Sequence, residues 1–379
     1  MTLLKSIHPS SRILQWIDIM SITETPDSYA IACALSVIGA AFKRHVYVDQ
    51  VNWKVYPMLR ILLVGPPGIG KDTAINESKR VIEKLGIPIV GGITKEHLAQ
   101  QIAGMIPPQT AFIPAGELAN FMGKSDYQSG ILEFLTDLFS DPLFLDASCK
   151  SDPERKLIEP TITMQAGSTV EWIHKNLPKG ALEGGFIPRF LVVPEEYPGR
   201  HVALIKRELS HERLKHVEFC KKDFTAWLKD LSSKTLRGSP REIIFDDEGA
   251  KVYQRWYRDR AEHFPKTVLP YAQRARDHVL RLAMLHALSR NSFCIEQPDV
   301  SFAIIFIARI AERIAEAIIP PTIEAQCAQE ILRLLPEDKA KVIRTLRGKY
   351  HVRSINDTVS ALVQSGEIKE SAARRLEKT

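Results

Sequence analysis

The sequence lacks the features of zinc-binding, disulfide-bonded and membrane-spanning proteins. Its five cysteines are spread over 379 residues without a Cys-x-x-Cys pair, and its eleven histidines add no metal-ligand spacing. We therefore expect neither a zinc site nor a disulfide framework. No apolar run reaches the roughly 20 residues of a membrane span, and the N-terminus has no basic region before a long apolar core. These absences predict a soluble protein of a reducing cytoplasm, without a targeting segment or membrane contact.

Strong charge of either sign is also absent. The net charge is +6, with 45% apolar and 25% charged residues, which excludes a polycation but leaves room for a local basic region that binds phosphate. There is no internal repeat or low-complexity tract. This composition is that of an ordinary globular chain with two or three domains.

Changes in periodicity divide the chain into four predicted segments. Residues 1–55 are predicted to form an N-terminal helical collar, in which the apolar stretch 29–42 is too short for a membrane span and is expected to be a buried helix. Residues 56–200 alternate short apolar runs with helical patterns, as in an α/β domain around a mostly parallel sheet. Residues 201–325 are nearly all helical and are predicted to extend that domain. Residues 326–379 are predicted to form a small DNA-binding domain.

A phosphate-binding motif lies in the α/β segment. The stretch LRILLVGPPGIGKDT begins at Leu59 and has the strand, loop and helix order of a P-loop. In such a loop, glycines let backbone N–H groups surround the phosphates, the lysine reaches the β and γ oxygens, and the helix N-terminus adds its dipole. Lys71 is therefore the predicted catalytic lysine. The residues predicted to bind ATP are Gly65, Pro66, Pro67, Gly68, Ile69, Gly70, Lys71, Asp72 and Thr73.

The residue after Lys71 departs from the usual loop. A P-loop normally has Ser or Thr there to hold magnesium, whereas this sequence has Asp72 followed by Thr73. The acid that polarises the attacking water is predicted to be Glu117, and Gly116 stands before it where Asp is usual. Because Mg²⁺ prefers oxygen ligands, we expect Asp72 and Thr73 to bind it, as if the carboxylate had moved from strand to loop. The competing interpretation is a decayed ATPase, since an acid beside the phosphates is repulsive without a metal between them.

Two further residues are candidates for the nucleotide site. The stretch PTITMQAGSTVEWI predicts a strand near whose polar end Gln165 would sense the γ-phosphate. The stretch LEGGFIPRFLVV places Arg189 just before another strand, after a loop freed by Gly184 and Gly185. Arg189 is predicted to reach the γ-phosphate of a neighbouring subunit as an arginine finger. A structural ion pair is the alternative role.

The order of these motifs resembles that of the RecA-like P-loop ATPases of phages and mobile elements, a primase/helicase-associated family of largely unknown function. The resemblance covers about residues 10–290 and is carried by TPDSYAIACALSVIGAAF, YPMLRILLVGPPGIGK, AFIPAGEL, TITMQAGSTVEWI, GFIPRFLVV and RARDHVLRLAMLHAL. It implies a ring-forming, ATP-driven motor, with Lys71 as the P-loop lysine, Glu117 as the catalytic acid and Arg189 as the finger. Asp72 and Gly116 depart from the family pattern.

Positive charge is concentrated in the C-terminal segment. Its order of three short helices and a small β turn at GEIKES resembles a winged helix, and a solvated face or a protein-docking module is the alternative. The cations predicted to contact DNA phosphates are Lys339, Lys341, Arg344, Arg347, Lys349 and Arg353. A second cluster, Arg274, Arg276 and Arg281, begins an amphipathic helix, where Arg281 is a candidate nucleotide sensor and a plain surface role is the alternative.

Together these patterns predict an α/β protein with a RecA-like P-loop ATPase core, an N-terminal helical collar, a helical extension and a C-terminal winged helix. The predicted activity is ATP hydrolysis by a hexameric DNA helicase or translocase of phage or mobile-element replication, in the cytoplasm of a bacterial or phage-infected cell. ATP and Mg²⁺ are the expected cofactors. The expected partners are single-stranded or forked DNA and a separate primase or polymerase. Two alternatives stay open: a nucleotide-switched DNA-binding replication or loading factor with weak ATPase activity, and a nucleotide kinase, whose loop also has Thr after a non-hydroxyl residue.

Overall fold

The computed structural model describes residues 3–91, 94–122, 125–149, 152–177, 180–319, 323–371 and 375–378. The chain separates into two compact units, residues 1–318 and residues 319–379. The finer division predicted within the larger unit, at residues 55 and 200, stays a prediction. Among the described residues, none of the helices combines the length and apolar character needed to span a bilayer.

The larger unit contains most of the regular structure. Its described α-helices are α1 (Leu3–Ser6), α2 (Ile13–Met20), α3 (Asp27–Phe42), α4 (Lys71–Lys84), α5 (Lys95–Ala103), α6 (Leu118–Met122), α7 (Ser125–Leu138), α8 (Val170–Asn176), α9 (Gly180–Glu183), α10 (Ile205–Glu208), α11 (His211–Leu236), α12 (Asp247–Asp259), α13 (Leu269–Ser289), α14 (Gln297–Ala311) and α15 (Ile314–Ile318). Its described strands are β1 (Val46–Asp49), β2 (Lys54–Val55), β3 (Arg60–Val64), β4 (Thr110–Ala115), β5 (Phe144–Asp146), β6 (Lys156–Ile158), β7 (Thr161–Ser168), β8 (Leu191–Pro194), β9 (Arg241–Glu242), β10 (Ile244–Phe245) and β11 (Cys294–Ile295). Short 3₁₀ helices occupy Ile187–Arg189, Arg260–His263 and Lys266–Val268.

A four-stranded parallel sheet forms the centre of the larger unit. The strand order is β4-β7-β3-β8, and all three neighbouring pairs are parallel. β3 and β7 are buried along their whole length, as expected for central strands covered on both faces. The predicted parallel sheet is therefore confirmed, because four of the five apolar runs in residues 56–200 form its strands. The fifth run, IPIVGG, contributes only an isolated bridge between Ile89 and Phe112.

The register of the sheet gathers the carboxyl ends of the strands at one edge. Val64 at the end of β3 lies beside Ser168 of β7 and Pro194 of β8. β4 ends one residue before Gly116, with Ala115 paired to Ala166 of β7. The P-loop and the segment that carries Glu117 therefore leave the same edge of the sheet, which is where ligands of open α/β sheets bind.

Helix α3 is buried from Ser28 to Phe42, because its sequence is apolar on every side. It packs against β3, β7 and β8 and alongside α4. The Tyr29 hydroxyl donates to the carbonyl of Val64 (2.7 Å) and the Ser36 hydroxyl to that of Leu59 (3.2 Å). The predicted buried helix is confirmed. A helix assigned to the collar thus belongs to the core beneath the sheet.

The smaller unit is built around its own apolar core. Its described elements are α16 (Ile323–Leu334), β12 (Glu337–Asp338), α17 (Lys339–Leu346), α18 (Val352–Gln364), β13 (Ile368–Glu370) and β14 (Arg375–Lys378). The three strands pair antiparallel in the order β12-β14-β13. Ile331, Val342, Ile355 and Leu376 are among the buried residues that join the helices to the sheet. This order of three helices and a hairpin accommodates a winged helix, and that assignment stays a prediction.

The close approach of α3 to the start of the sheet predicts a difference between two helical glycines. A Cβ on Gly39 would lie 2.2 Å from the carbonyl oxygen of Pro57, whereas a Cβ on Gly130 of α7 would meet no atom within 4 Å. Gly39→Ala should therefore lower the thermal unfolding midpoint, since overpacking costs about 1–3 kcal/mol. The matched change Gly130→Ala should raise it slightly, because Ala is favoured over Gly within helices by up to about 1 kcal/mol. Shifts of the same sign and size for both variants would contradict the packing described for α3.

Candidate nucleotide-binding site

The loop between β3 and α4 has the conformation of a phosphate cradle. Gly68 and Gly70 have φ values of 82° and 90°, in the left-handed region that glycine adopts without strain. Residues 66–68 are exposed, and α4 begins at Lys71. The loop is also held from outside, because the Thr25 hydroxyl donates to the carbonyl of Gly70 (3.2 Å). The first-turn N–H groups of α4 and an open loop are therefore available to a phosphate group.

Lys71 is folded back onto its own loop. Its ammonium donates to the carbonyl oxygens of Gly65 (2.7 Å) and Pro66 (2.9 Å), and the residue is buried. Burial lowers the pKa of Lys71, while the carboxylates of Glu117, Asp72 and Glu171 act in the opposite direction. A phosphate chain would replace two neutral carbonyl partners with charged oxygens, which form the stronger hydrogen bonds.

The side chain of Asp72 occupies the space that an aspartate at position 116 would need. A Cβ built on Gly116 would lie 2.6 Å from Asp72 Oδ1. The two departures from the usual motif therefore lie side by side: position 116 has no side chain where Asp72 places its carboxylate. Asp72 and Thr73 are both exposed on the first turn of α4. Their oxygens fit the preference of Mg²⁺ for hard ligands.

Gly167 of β7 has no side chain, which allows the Gly116 backbone and Lys71 to lie close together. A Cβ at this position would lie 2.2 Å from the carbonyl oxygen of Gly116 and 3.6 Å from Lys71 Cβ. Glu117, the predicted catalytic acid, follows Gly116 and is exposed at the carboxyl edge. The arrangement brings Lys71, Asp72 and Glu117 into one site.

Glu171 is a member of this site that sequence reasoning missed. It lies exposed in the first turn of α8, whose N-terminus is capped by the Thr169 hydroxyl accepting from the backbone of Trp172 (3.2 Å). It acts on Lys71 together with Asp72 and Glu117. The signal was present in the sequence as a capping Thr followed two residues later by an acid. Its proximity to the P-loop depends on the strand order, with β7 next to β3.

Gln165 does not lie at the strand end. It is fully buried in the middle of β7, beside Ile61 of β3, with its amide donating weakly to the carbonyl of Cys33 in α3 (3.5 Å). The polar residue beside the start of the P-loop is Ser168, whose carbonyl accepts from the N–H of Gly65 (3.1 Å). A direct contact between Gln165 and a γ-phosphate is therefore not supported by this placement.

Arg189 lies at the opposite edge of the sheet from the P-loop. It precedes β8, which runs parallel to β3 and ends beside Val64. Its guanidinium donates to the carbonyl of Gly185 (2.7 Å) and to the hydroxyl of Ser140 (2.9 Å). Burial, followed by the neighbouring Arg274, lowers the pKa of Arg189 to about 10. None of the described carboxylates forms an ion pair with it, so the alternative of a structural ion pair is not supported.

The predicted DNA-contacting cations of the smaller unit are largely paired with acids. The pairs are Lys339 with Glu370 (2.9 Å), Lys341 with Glu337 (2.5 Å), Lys349 with Glu330 (3.0 Å) and Arg353 with Asp357 (3.9 Å). Among the six, Arg344 and Arg347 are exposed without such a partner among the described residues. Surface ion pairs are worth about 0–1 kcal/mol, so these acids do not prevent the cations from contacting phosphate, and DNA binding by this patch stays a prediction.

Among the described residues, one group of ligand-type side chains lies elsewhere, although the histidine spacing predicted none. Asp18, His216 and Cys220 place one ligand atom each within 4.8 Å of the others. Asp18 accepts from Arg213 through one oxygen and contacts His216 Nε2 through the other (2.8 Å). The contact of Cys220 with His216 (3.4 Å) uses the same nitrogen, so there is no proton relay. An ion pair between α2 and α11 accounts for the group.

The similarity of this chain to known proteins is distant. The sequence matches no protein-family model, and no curated protein matches it significantly. Among solved structures it is similar to a full-length MCM homologue from Methanopyrus kandleri, with 15% sequence identity and a TM-score of 0.44. The match covers 80% of this chain and 59% of that chain, so this chain spans less than two thirds of its length. Similarity at this level establishes neither activity nor substrate nor partner.

The contact between Asp72 and the Gly116 backbone predicts a specific rescue. Asp72→Ser should abolish magnesium-dependent ATP turnover, because the site then lacks a carboxylate for the metal. Gly116→Asp alone should also impair the site, since its new side chain meets the Asp72 carboxylate. The double variant should recover magnesium-dependent turnover, because the carboxylate returns to the strand and the space is free.

The measurement is a magnesium titration of ATP hydrolysis for the wild type, both single variants and the double variant. Asp72→Asn is the matched control, since it keeps the shape of the side chain and removes its charge. Contacting residues are expected to be non-additive. A double variant no more active than Asp72→Ser would sink the idea of a relocated carboxylate.

Proposed function

We propose that the protein is a magnesium-dependent ATPase that moves along DNA as a ring of identical subunits. The observation that carries the ATPase proposal is the contact of Asp72 with Gly116 beside Lys71 and Glu117, at the carboxyl edge of a parallel sheet. The motif resemblance adds the DNA motor, a helicase or translocase of phage or mobile-element replication. Hexameric assembly, single-stranded or forked DNA, a separate primase or polymerase and a cytoplasmic location belong to the same proposal.

Each residue of the site has a defined task in this proposal. The loop at Gly68 and Gly70 surrounds the phosphates with backbone N–H groups, and Lys71 exchanges its loop carbonyls for the β and γ oxygens. Asp72 and Thr73 hold Mg²⁺, which when bound neutralises charge on the phosphates. Glu117, exposed at the same edge, orients and polarises the attacking water.

The charges at the two edges of the sheet favour head-to-tail contact between subunits. Asp72, Glu117 and Glu171 make the carboxyl edge acidic around Lys71, whereas Arg189 and Arg274 lie at the amino edge. Pro194 pairs with Val64, where the P-loop begins. From Arg189 to Pro194 the chain advances about 16 Å, at about 3.3 Å per extended residue, so Arg189 is too far away to serve its own P-loop. A heterologous contact that joins opposite edges generates rings when the rotation closes. Arg189 would then reach the neighbour's γ-phosphate.

A nucleotide-switched loading factor is the second candidate. Asp72 carries negative charge to the position of the phosphates, and without metal this repulsion slows turnover while leaving binding possible. ATP binding without hydrolysis, combined with nucleotide-dependent DNA binding, would favour the switch. Phosphoryl transfer to a nucleoside monophosphate would instead favour a kinase.

The lysine of the loop provides the first test of ATP turnover. Lys71→Ala should reduce magnesium-dependent hydrolysis by roughly a hundredfold or more, because it removes a charged donor from the transferring phosphate. Lys79→Ala is the matched control: Lys79 lies on the same helix, is half exposed, and pairs only loosely with Glu83 (4.0 Å). Hydrolysis is measured with and without single-stranded DNA, which should stimulate the wild type. Equal turnover in Lys71→Ala and Lys79→Ala would show that the P-loop is not the site.

Mixed assemblies test whether Arg189 acts between subunits. Arg189→Ala should leave ATP binding near normal and lower turnover by roughly a thousandfold or more. Arg189→Lys should rescue little, because an ammonium does not reproduce the planar fork. When Arg189→Ala and Lys71→Ala proteins co-assemble, some interfaces contain both intact residues, and turnover should exceed that of either parent. Mixtures that co-assemble and remain as inactive as the parents would mean that Arg189 does not act across a subunit boundary.

A further inference from the structure

Two adjoining cavities lie at the amino edge of the central sheet, away from the P-loop. The first has a volume of about 470 Å³ and the second about 380 Å³. They share Trp53, Arg276 and Asp277 as lining residues. Both volumes are in the range of ligand-binding pockets, roughly 300–1,000 Å³, and the shared residues place the two cavities side by side, here together called the amino-edge cleft.

The first cavity carries more positive than negative charge. Its six cations are Arg44, Lys54, Arg189, Arg274, Arg276 and Arg281. Its acids are Asp141 and Asp277. Asp141 is already paired with Arg60 (2.5 Å) and Arg281 (3.0 Å), and Asp277 is shared between Arg274 (3.8 Å) and Arg276 (3.4 Å). The other three cations, Arg44, Lys54 and Arg189, form no ion pair with any described carboxylate.

Two of these unpaired arginines also retain unused hydrogen-bond donors. Arg44 is only 6% exposed. It donates to the carbonyls of Pro142 (2.8 Å) and Pro160 (3.0 Å), but its Nη1 has no acceptor among the described residues. The Nε of Arg189 is likewise without one among them. These two donor atoms are themselves shielded from solvent, so it is the excess positive charge of the lining that favours an anion in the cavity, since buried charge without a counter-charge is costly.

The second cavity is aromatic. Trp53, Tyr253 and Tyr257 line it together with Arg258. Trp53 is 45% exposed, and the Arg276 guanidinium lies 5.2 Å from its ring centre. Trp53 follows the turn of the β1–β2 hairpin, where Val51 is 95% exposed at a φ of 65°, a conformation that strains a β-branched residue. An exposed aromatic ring is thus presented beside the cationic cavity.

We propose that this cleft binds single-stranded nucleic acid, with phosphodiesters against Lys54, Arg274 and Arg276 and a base stacked on Trp53. A basic groove combined with exposed aromatic rings is the chemistry that recognises unpaired strands. The cleft suits this task better than the smaller unit because it joins aromatic rings to its cations, whereas Tyr350 is the one Trp, Tyr or Phe in the sequence of residues 319–379. This inference rests on the proposed DNA motor and gives the strand a contact surface on it. Binding of the strand itself requires no ATP hydrolysis.

The test is fluorescence anisotropy of a labelled oligothymidylate of about twelve nucleotides, within the range of known single-strand sites, without ATP or magnesium. Trp53→Ala should weaken binding by roughly 5- to 150-fold, the scale of one stacked base, and Trp53→Phe should restore most of it. Arg276→Gln should weaken binding and reduce its salt dependence by about one phosphate contact. Lys229→Gln removes a charge of equal size that lines neither cavity and should change nothing.

Three results would overturn the proposal. Equal affinity of wild type and Trp53→Ala would remove the stacking contact. Thymidine monophosphate competing as tightly as the oligomer would identify a small-ligand site instead. A loss of binding in Arg347→Gln as large as in Arg276→Gln would move the strand to the smaller unit. Magnesium-dependent ATPase activity is measured on the same samples, so failure of the cleft with intact turnover is distinguishable from failure of the ATPase proposal.

Discussion

Helix α3 is the element on which the geometry of the nucleotide edge depends. It is buried beneath three of the four parallel strands, and its Tyr29 hydroxyl holds the carbonyl of Val64, where β3 ends and the P-loop begins. Thr25, just before the helix, holds Gly70 at the other end of the loop. The loop is therefore fixed at both ends while residues 66–68 remain exposed. A loop organised in this way loses less conformational freedom when it binds phosphate.

The parallel sheet also gives the larger unit two chemically different edges. Carboxyl ends of parallel strands point the same way, so the first turn of α4 with Asp72, the segment with Glu117 and the first turn of α8 with Glu171 all meet around Lys71. The amino ends bring together arginines that come from separate parts of the chain. One edge can thus carry the nucleotide, while the other offers Arg189 to a neighbour and the cations beside Trp53 to a strand. Both proposals about partners follow from this polarity.

The sequence predicted the parts of this arrangement that depend on neighbouring residues. The P-loop and Lys71 follow from a strand, a turn and a helix within a short stretch, and Glu117 follows from the end of a separate apolar strand. In the structure Lys71 and Glu117 lie at the same edge of the sheet, and their catalytic roles stay predictions. Gln165 was misplaced because periodicity does not reveal where β7 ends relative to β3. DNA contact by the six cations of the smaller unit stays a prediction, and two of their acid partners, Glu370 of Lys339 and Glu330 of Lys349, lie far from them in sequence. The amino-edge cleft assembles residues from six segments between residues 44 and 281, of which the sequence indicated only Arg189 and the cluster Arg274, Arg276 and Arg281.

The most direct test of the central claim is the position of the metal ion in crystals grown with Mn²⁺ and a non-hydrolysable ATP analogue. Anomalous scattering locates Mn²⁺ independently of the other atoms. If the carboxylate has moved from strand to loop, the ion lies within about 2.5 Å of an Asp72 carboxylate oxygen, at the ligand distance of a hard cation, and contacts the nucleotide phosphates. An ion bound to the phosphates with Asp72 turned away from it, or nucleotide bound without an ion, would contradict the account.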